Sequence, residues 1–365
     1  MTRALLALLL TLVHVSVDAA PRRRAVQHPA PVVAPAAIVA AAQQAADAAL
    51  KAGVPAVQIA VSQRGQVIYA AAFGMSDRES ATAATPRTVL QIGSITKQFA
   101  AAAILRLAER GALTLDDRIE KYVPEFNTRG ATITLRHLLT HTSGVTGLSP
   151  ADYAPLTREH YMTLVNAGPL AFTPGTQWSY SNAGYRLLGY AIESITGKLF
   201  AQVVHEEFAL PLGLLDTGVC GTSHLPLPDG YGLVQGSWAR IPAIHMSVPF
   251  SAGALCSTTA DLTRWAHLLA TGGVLLPASY AAMTTPTQLA NKNFVPYGFG
   301  QSLSNQLGRP TVWHTGAIPG FHSSLVYFPQ HEIAVSVIIN ALPTPPGVSA
   351  HFIALAVAGA ALPPL

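Results

Sequence analysis

Ser94-Ile95-Thr96-Lys97-Gln98-Phe99-Ala100-Ala101-Ala102-Ala103-Ile104-Leu105 is the stretch on which the fold turns. Gly93 precedes it, the run from Phe99 is apolar without a break, and Gly111 stands past its end. A helix that is apolar nearly all round is a buried one, and residues i and i+3 share a helix face. The spacing therefore predicts a buried helix that opens at Ser94 and sets the Lys97 amine beside the Ser94 hydroxyl. A serine needs a base to act as a nucleophile at neutral pH. A lysine in a dry site gives up its proton more readily and can be that base. Backbone N–H groups at a helix start also face the place where an oxyanion would form.

Working outward, Ala36–Lys51 reads as a helix closed by Gly53 and Pro55. Ala56–Ser62 and Val67–Phe73 read as a β-hairpin turning at Arg64-Gly65. Downstream, Leu113–Phe126 reads as loop with short turns, and Asn182–Thr196 as a helix with Gly197 as its C-cap. Leu225–Pro249, rich in Gly and Pro, reads as irregular. Thr311–Thr315, Ser323–Phe328 and Ile333–Ile339 are strand-like, and Ala350–Ala361 is an apolar helix too short to span a bilayer. It is expected to pack on the sheet beside the first helix. The order predicts an α/β (α+β) fold in which one sheet is built from both ends of the chain. A helical subdomain, roughly residues 91–261, is inserted between, with function at the seam.

Composition narrows the classes. Of 365 residues half are hydrophobic and 11% charged, which fits a large folded core. The net charge of +4 owes three charges to the run Arg22-Arg23-Arg24, and no basic stripe crosses the body, so nucleic acid is not an expected partner. Arg3 followed by the apolar Ala4–Val17 reads as a signal peptide over 1–19, cut between Ala19 and Ala20, with an uncleaved anchor as the alternative. Residues 20–35 read as a Pro/Arg-rich linker and 36–361 as the folded domain. Export to the periplasm or beyond is the expectation, with no stable membrane span after cleavage. The two cysteines, Cys220 and Cys256, then read as one disulfide, two buried thiols being the alternative. No metal or cofactor is expected. His137 and His141 have the four-residue spacing of zinc ligands, but no Glu follows the first.

Two further elements complete the chemistry. Tyr180-Ser181-Asn182 offers a phenol near Lys97, where an ammonium would lower its pKa from about 10 and make it a proton relay. Asn182 offers an amide to a substrate carbonyl or to Lys97. Alone, the pair also fits a tyrosine at a helix start and an asparagine cap. His314-Thr315-Gly316 ends a strand ahead of Ala317. Gly316 would let a substrate lie along the strand edge, Thr315 would bind a substrate carboxylate, and the Ala317 N–H would be a second oxyanion donor. Alone, this also fits a strand end with a surface histidine. His141-Thr142-Ser143-Gly144 echoes this element ahead of Tyr180 without a strand. Ser194-Ile195-Thr196-Gly197-Lys198 echoes the first element with one residue too many. Both are set aside.

In this order the three elements resemble the serine β-lactamase and penicillin-binding protein superfamily. They are most similar to its class C β-lactamase and D-alanyl-D-alanine carboxypeptidase branch, where Tyr-x-Asn replaces Ser-Asp-Asn. Ile133–Gly144, Pro174-Gly175 and Ser251-Ala252-Gly253 are similar too, so the resemblance runs over Ala36–Ala361. It implies a β-lactamase/transpeptidase-like fold, an antiparallel sheet flanked by N- and C-terminal helices. It implies an exported serine hydrolase working through an acyl-enzyme on Ser94, with Lys97 as base and Tyr180 as proton relay. Asn182 and Thr315 would touch substrate, and the Ser94 and Ala317 N–H groups would form the oxyanion hole. His314 stands where class C β-lactamases carry lysine, and a neutral histidine weakens the anchor for a β-lactam carboxylate. A small molecule or a cell-wall peptide is the implied substrate, through a D-Ala-D-Ala carboxypeptidase-like or esterase activity. A β-lactamase, or a silent penicillin-sensing module, is the alternative.

Overall fold

Five helices carry the architecture: α1 (Ala36–Lys51), α2 (Thr96–Glu109), α3 (Asn182–Thr196), α4 (Thr259–Ala270) and α5 (Ala350–Ala361). The computed structural model describes residues 34–147, 154–222 and 225–365. The leader expected over 1–19, and all but the last two residues of the linker, lie outside the described residues. The main sheet has seven strands: β1 (Ala56–Gln63), β2 (Gln66–Asp77), β3 (Thr82–Ala83), β4 (Ser302–Gln306), β5 (Arg309–Ile318), β6 (Phe321–Phe328) and β7 (Ile333–Ile339). Its order is β4-β5-β6-β7-β1-β2-β3, every neighbour antiparallel. The central seam joins the two ends of the chain, with Val57 opposite Ile339 and Gln63 opposite Ile333.

The seam strands are covered on both sides, which is why all seven residues of β7 are buried. Val57, Ile59, Val61, Val335, Val337 and Ile339 meet α1 and α5 through Ile38, Ala42, Ile353 and Val357. Buried Ile38, Ala42, Ala46 and Ala49 recur every three or four residues, and the alanines let α1 lie close to the sheet. On the other face, Leu325, Ala334 and Ile338 join the core of the helical region. The β1–β2 turn has positive φ at both Arg64 (51°) and Gly65 (76°), the geometry that matches strand twist in a tight hairpin.

Two local expectations change. Leu225–Pro249 contains a hairpin, Gly230–Val234 with Ser237–Ile241, turning at Gln235-Gly236. Glycines at 230 and 232 erase the alternation that would reveal a strand. Gly230 is needed because a Cβ there would meet the Gly320 carbonyl oxygen at 2.4 Å. The buried helix also opens later than predicted. Ser94 sits in a 3₁₀ turn, Gly93–Ile95, and α2 proper starts at Thr96. Eleven of the 14 residues of α2 are buried, and Phe99 stacks on Trp265 of α4 with ring centroids 3.8 Å apart. The turn does not float. Leu90-Gln91, just before it, pairs with the strand Leu255–Ser257, whose Cys256 is disulfide-bonded to Cys220.

Candidate active site

Lys97 is fully buried, and its amine has three oxygen neighbours. Nζ lies 2.8 Å from Asn182 Oδ1, 2.8 Å from the Ala252 carbonyl oxygen and 3.0 Å from Ser94 Oγ. Burial holds its pKa far below the usual lysine range. A neutral amine has two N–H groups and one lone pair. Asn182 Oδ1 and Ala252 O accept only, so they take both hydrogens and leave the lone pair for the Ser94 hydroxyl. Every polar contact of the side chain is then satisfied in its base form.

Tyr180 and Asn182 arrive together because Ser181 caps α3: its Oγ accepts from the Gly184 N–H at 3.0 Å. Lys97 Nζ is 4.8 Å from the centre of the Tyr180 ring. The expectation of an acidified phenol is overturned. The surroundings push the Tyr180 pKa up through desolvation, although 40% of the residue's surface stays exposed, and a hydrogen bond with the Ser94 side chain offsets only part of that. Tyr180 therefore meets a substrate as a protonated phenol.

The strand edge opens where the catalytic turn meets it. Ile318 and Phe321 face each other across the two-residue turn Pro319-Gly320. Alternation of the antiparallel ladder then points the Thr315 and Ala317 backbone away from β6, toward the β4 side. β4 pairs only as far as Trp313, so the Ala317 N–H has no strand partner. The Ser94 turn packs against this open stretch. A Cβ on Gly93 would stand 2.9 Å from the Ala317 nitrogen, and one on Gly316 would stand 1.9 Å from the Ile92 carbonyl oxygen. Ser323 Oγ donates to that same carbonyl at 2.8 Å. Gly316 is therefore demanded by the approach of the Ser94 turn, not by room for a substrate. Ser94 and Ala317 line one cavity at this junction.

His314 points away from the opening. It is 5% exposed, its Nδ1 is 2.6 Å from the Thr315 carbonyl oxygen and its Nε2 is 3.0 Å from the Tyr297 hydroxyl. The same hydroxyl is 3.1 Å from His141 Nε2, and His141 Nδ1 accepts the Ser181 N–H at 3.0 Å. One set of tautomers satisfies all four contacts: His141 Nε2–H donates to Tyr297, Tyr297 O–H to His314 Nε2, and His314 Nδ1–H to Thr315 O. His141 is thus part of the wall, although its motif looked like an idle echo. Its φ of 60° is uncommon for a residue with a Cβ. Its ring sits among Trp178, Tyr180, Tyr185 and Tyr297. Tyr297 carried no signal at all, lying 156 residues from His141.

Desolvation pulls the His314 pKa down to about 4 and that of His141 well below its usual range. The unfolded value is about 6.5, so the unfolded chain binds the proton first. The contribution of His314 to stability is complete above about pH 6.5 and is lost as pH falls through about 4, a loss of about 3 kcal/mol. Urea midpoints at pH 7 and pH 4.5 are expected to diverge more in the wild type than in His314→Gln. Equal divergence in both would refute the assignment.

The beta-lactamase family matches this chain over residues 36–360. The chain belongs to the beta-lactamase family. Penicillin-binding protein 4* of Bacillus subtilis (strain 168) is 27% identical over 298 residues, covering 75% of this chain and 65% of that protein. The chain spans 60–65% of the length of the curated relatives it matches. Among solved structures, the octameric penicillin-binding protein homologue from Pyrococcus abyssi superposes with a TM-score of 0.76 at 27% identity, covering 87% of this chain and 76% of that one. A D-stereospecific amidohydrolase from Streptomyces sp. gives 0.71 at 28% identity, covering 83% and 94%.

In this beta-lactamase family chain a cavity of about 160 Å³ opens beside Ser94. Its wall includes Tyr161, Ile244, Val248, Pro249, Ile318 and Pro319, with Asn182 and Arg186 as polar members. Lys198, of the second echo motif, points elsewhere and pairs with Glu206.

Proposed function

We propose that the chain is an exported serine hydrolase that carries short acyl groups on Ser94, taken from small esters and amides. The observation that carries this is the buried Lys97 amine, held 3.0 Å from the Ser94 hydroxyl by Asn182 Oδ1 and the Ala252 carbonyl oxygen, with burial lowering its pKa. Ser94 Oγ attacks the substrate carbonyl carbon as its proton passes to Lys97 Nζ. The carbonyl oxygen takes the negative charge between the Ser94 and Ala317 N–H groups. As the bond to the leaving group breaks, the proton travels from Lys97 to that group, with the protonated Tyr180 as the donor at its side. Water then attacks the acyl-enzyme along the reverse route and restores Ser94. Asn182 holds Lys97 in line and presents its N–H₂ to the substrate.

Esters are favoured over β-lactams because His314 is neutral and turned to Tyr297, so it offers no fixed positive charge beside Thr315. The motifs' resemblance to the D-alanyl-D-alanine carboxypeptidase branch suggests a second reading, a carboxypeptidase acting on D-alanyl peptides, and the similarity to penicillin-binding protein 4* is compatible with it. The Cys220–Cys256 disulfide supports export to an oxidising compartment. Among the described residues no helix is long and apolar enough to cross a membrane.

The test is a panel of p-nitrophenyl esters, a D-Ala-D-Ala peptide and a chromogenic cephalosporin, with mass spectrometry after a fluorophosphonate. Ester turnover and a single adduct on Ser94 are expected. An adduct on another residue, or none with any acylating probe, refutes the proposal. A cephalosporin turned over faster than every ester overturns the substrate order.

A further inference from the structure

The cleft holds a cation that the proposed chemistry does not use. Arg186 stands four residues after Asn182 on α3, so the two share a helix face, and both line the cavity beside Ser94. It is 4% exposed. Nη1 donates to the carbonyl oxygens of Ser247, at 2.8 Å, and Val248, and Nη2 donates to the Tyr190 hydroxyl at 3.3 Å. The guanidinium carbon lies 3.9 Å from the centre of the Tyr161 ring. Among the described residues no carboxylate reaches it. Its Nε is buried with no hydrogen-bond partner.

A buried cation is costly to leave without a counter-charge. Here only carbonyl dipoles, the Tyr190 and Tyr161 hydroxyls and the Tyr161 and Phe250 ring faces compensate a permanent one. Both Nη1 hydrogens are taken, while Nε–H has no partner. A guanidinium N–H donates a strong, charge-assisted hydrogen bond to a carboxylate. The rest of the wall is mainly apolar, so it offers a bound anion no competing charge.

We propose that Arg186 is the anion subsite of the acyl pocket, and that the favoured acyl donors are short chains ending in a carboxylate. This rests on the acyl-enzyme reading of Ser94. Succinyl and glutaryl chains are the simplest acyl groups of that kind, and Ser94 and Arg186 line one cavity. An acid of that kind places its carboxylate at Arg186 while its carbonyl lies at Ser94.

The experiment compares methyl hydrogen glutarate with methyl valerate, equal in acyl length, by pH-stat at pH 7.5. In the wild type kcat/KM is expected to favour the glutarate at least tenfold, with the advantage shrinking as salt rises. In Arg186→Met the glutarate-to-valerate ratio is expected to fall at least tenfold, through KM, and Arg186→Lys is expected to restore part of it. Should Arg186→Met fail to fold, the wild-type ratio and its salt dependence decide alone. Valerate turned over as well as or better than glutarate overturns the subsite and leaves the hydrolase standing. Failure of both esters, with no adduct on Ser94, overturns the hydrolase itself.

Discussion

Ser94→Ala is expected to lower kcat on small esters by a factor on the order of 10⁴–10⁶, the range seen when a nucleophile acting in a unit is removed. The acyl adduct should vanish from the mass spectrum. Fold and substrate binding should survive. Ser94 is only partly buried, and its hydroxyl is one of three contacts of Lys97 Nζ. Without it the amine keeps both acceptors and loses only the partner of its lone pair, so the melting temperature should move by no more than a few degrees. KM for a substrate that fits the cavity should change little, because the apolar wall and the Ala317 N–H are untouched. Residual turnover above water would report the oxyanion site alone. A Ser94→Ala protein that retains a tenth of wild-type activity would sink the acyl-enzyme.

Lys97→Met is the second large effect, a drop in kcat on the order of 10²–10⁴-fold, the share usual for a general base. Methionine has similar length and no polar head, so it fills the buried slot. Asn182 Oδ1 and Ala252 O then lose their donor, at a cost of about 1–3 kcal/mol for a buried acceptor. Lys97→Arg should not rescue activity, since a guanidinium has no lone pair to accept the serine proton. The pH profile separates a base from a mere scaffold. The folded wild type needs Lys97 neutral, and burial holds its pKa far below the ordinary lysine range. Activity should therefore rise as pH climbs through that lowered pKa and stay flat through the range where an ordinary lysine remains charged. In Lys97→Met that acid limb should disappear from whatever activity is left. An unchanged limb would assign it to another group.

What could be seen in the sequence was what short-range physics controls. The Arg64-Gly65 turn, the span of α3 and its left-handed Gly197 cap (φ 66°) each depend on a few adjacent residues. So does the meeting of Ser94 and Lys97, three residues apart on nearly helical backbone. The β-prone runs of β1 and β7 announced strands. The Gly230–Ile241 hairpin escaped because Gly230 answers to Gly320, ninety residues away.

The sequence by itself thus determined the family, the order of elements and the candidate nucleophile with its base. Only the tertiary structure decided the protonation states and the neighbours. Tyr180 reads as an acidified phenol beside a charged Lys97; burial lowers the Lys97 pKa and raises that of the phenol. His314 reads as a candidate surface residue, yet Tyr297 turns it inward and joins it to His141. Arg186 reads as one polar residue on a helix, and becomes a cleft cation only when Tyr161 and the Ser247-Val248 carbonyls close over it. Desolvation and hydrogen-bond partnership are properties of a packed site, summed over segments far apart in the chain, and no local pattern of residues encodes them.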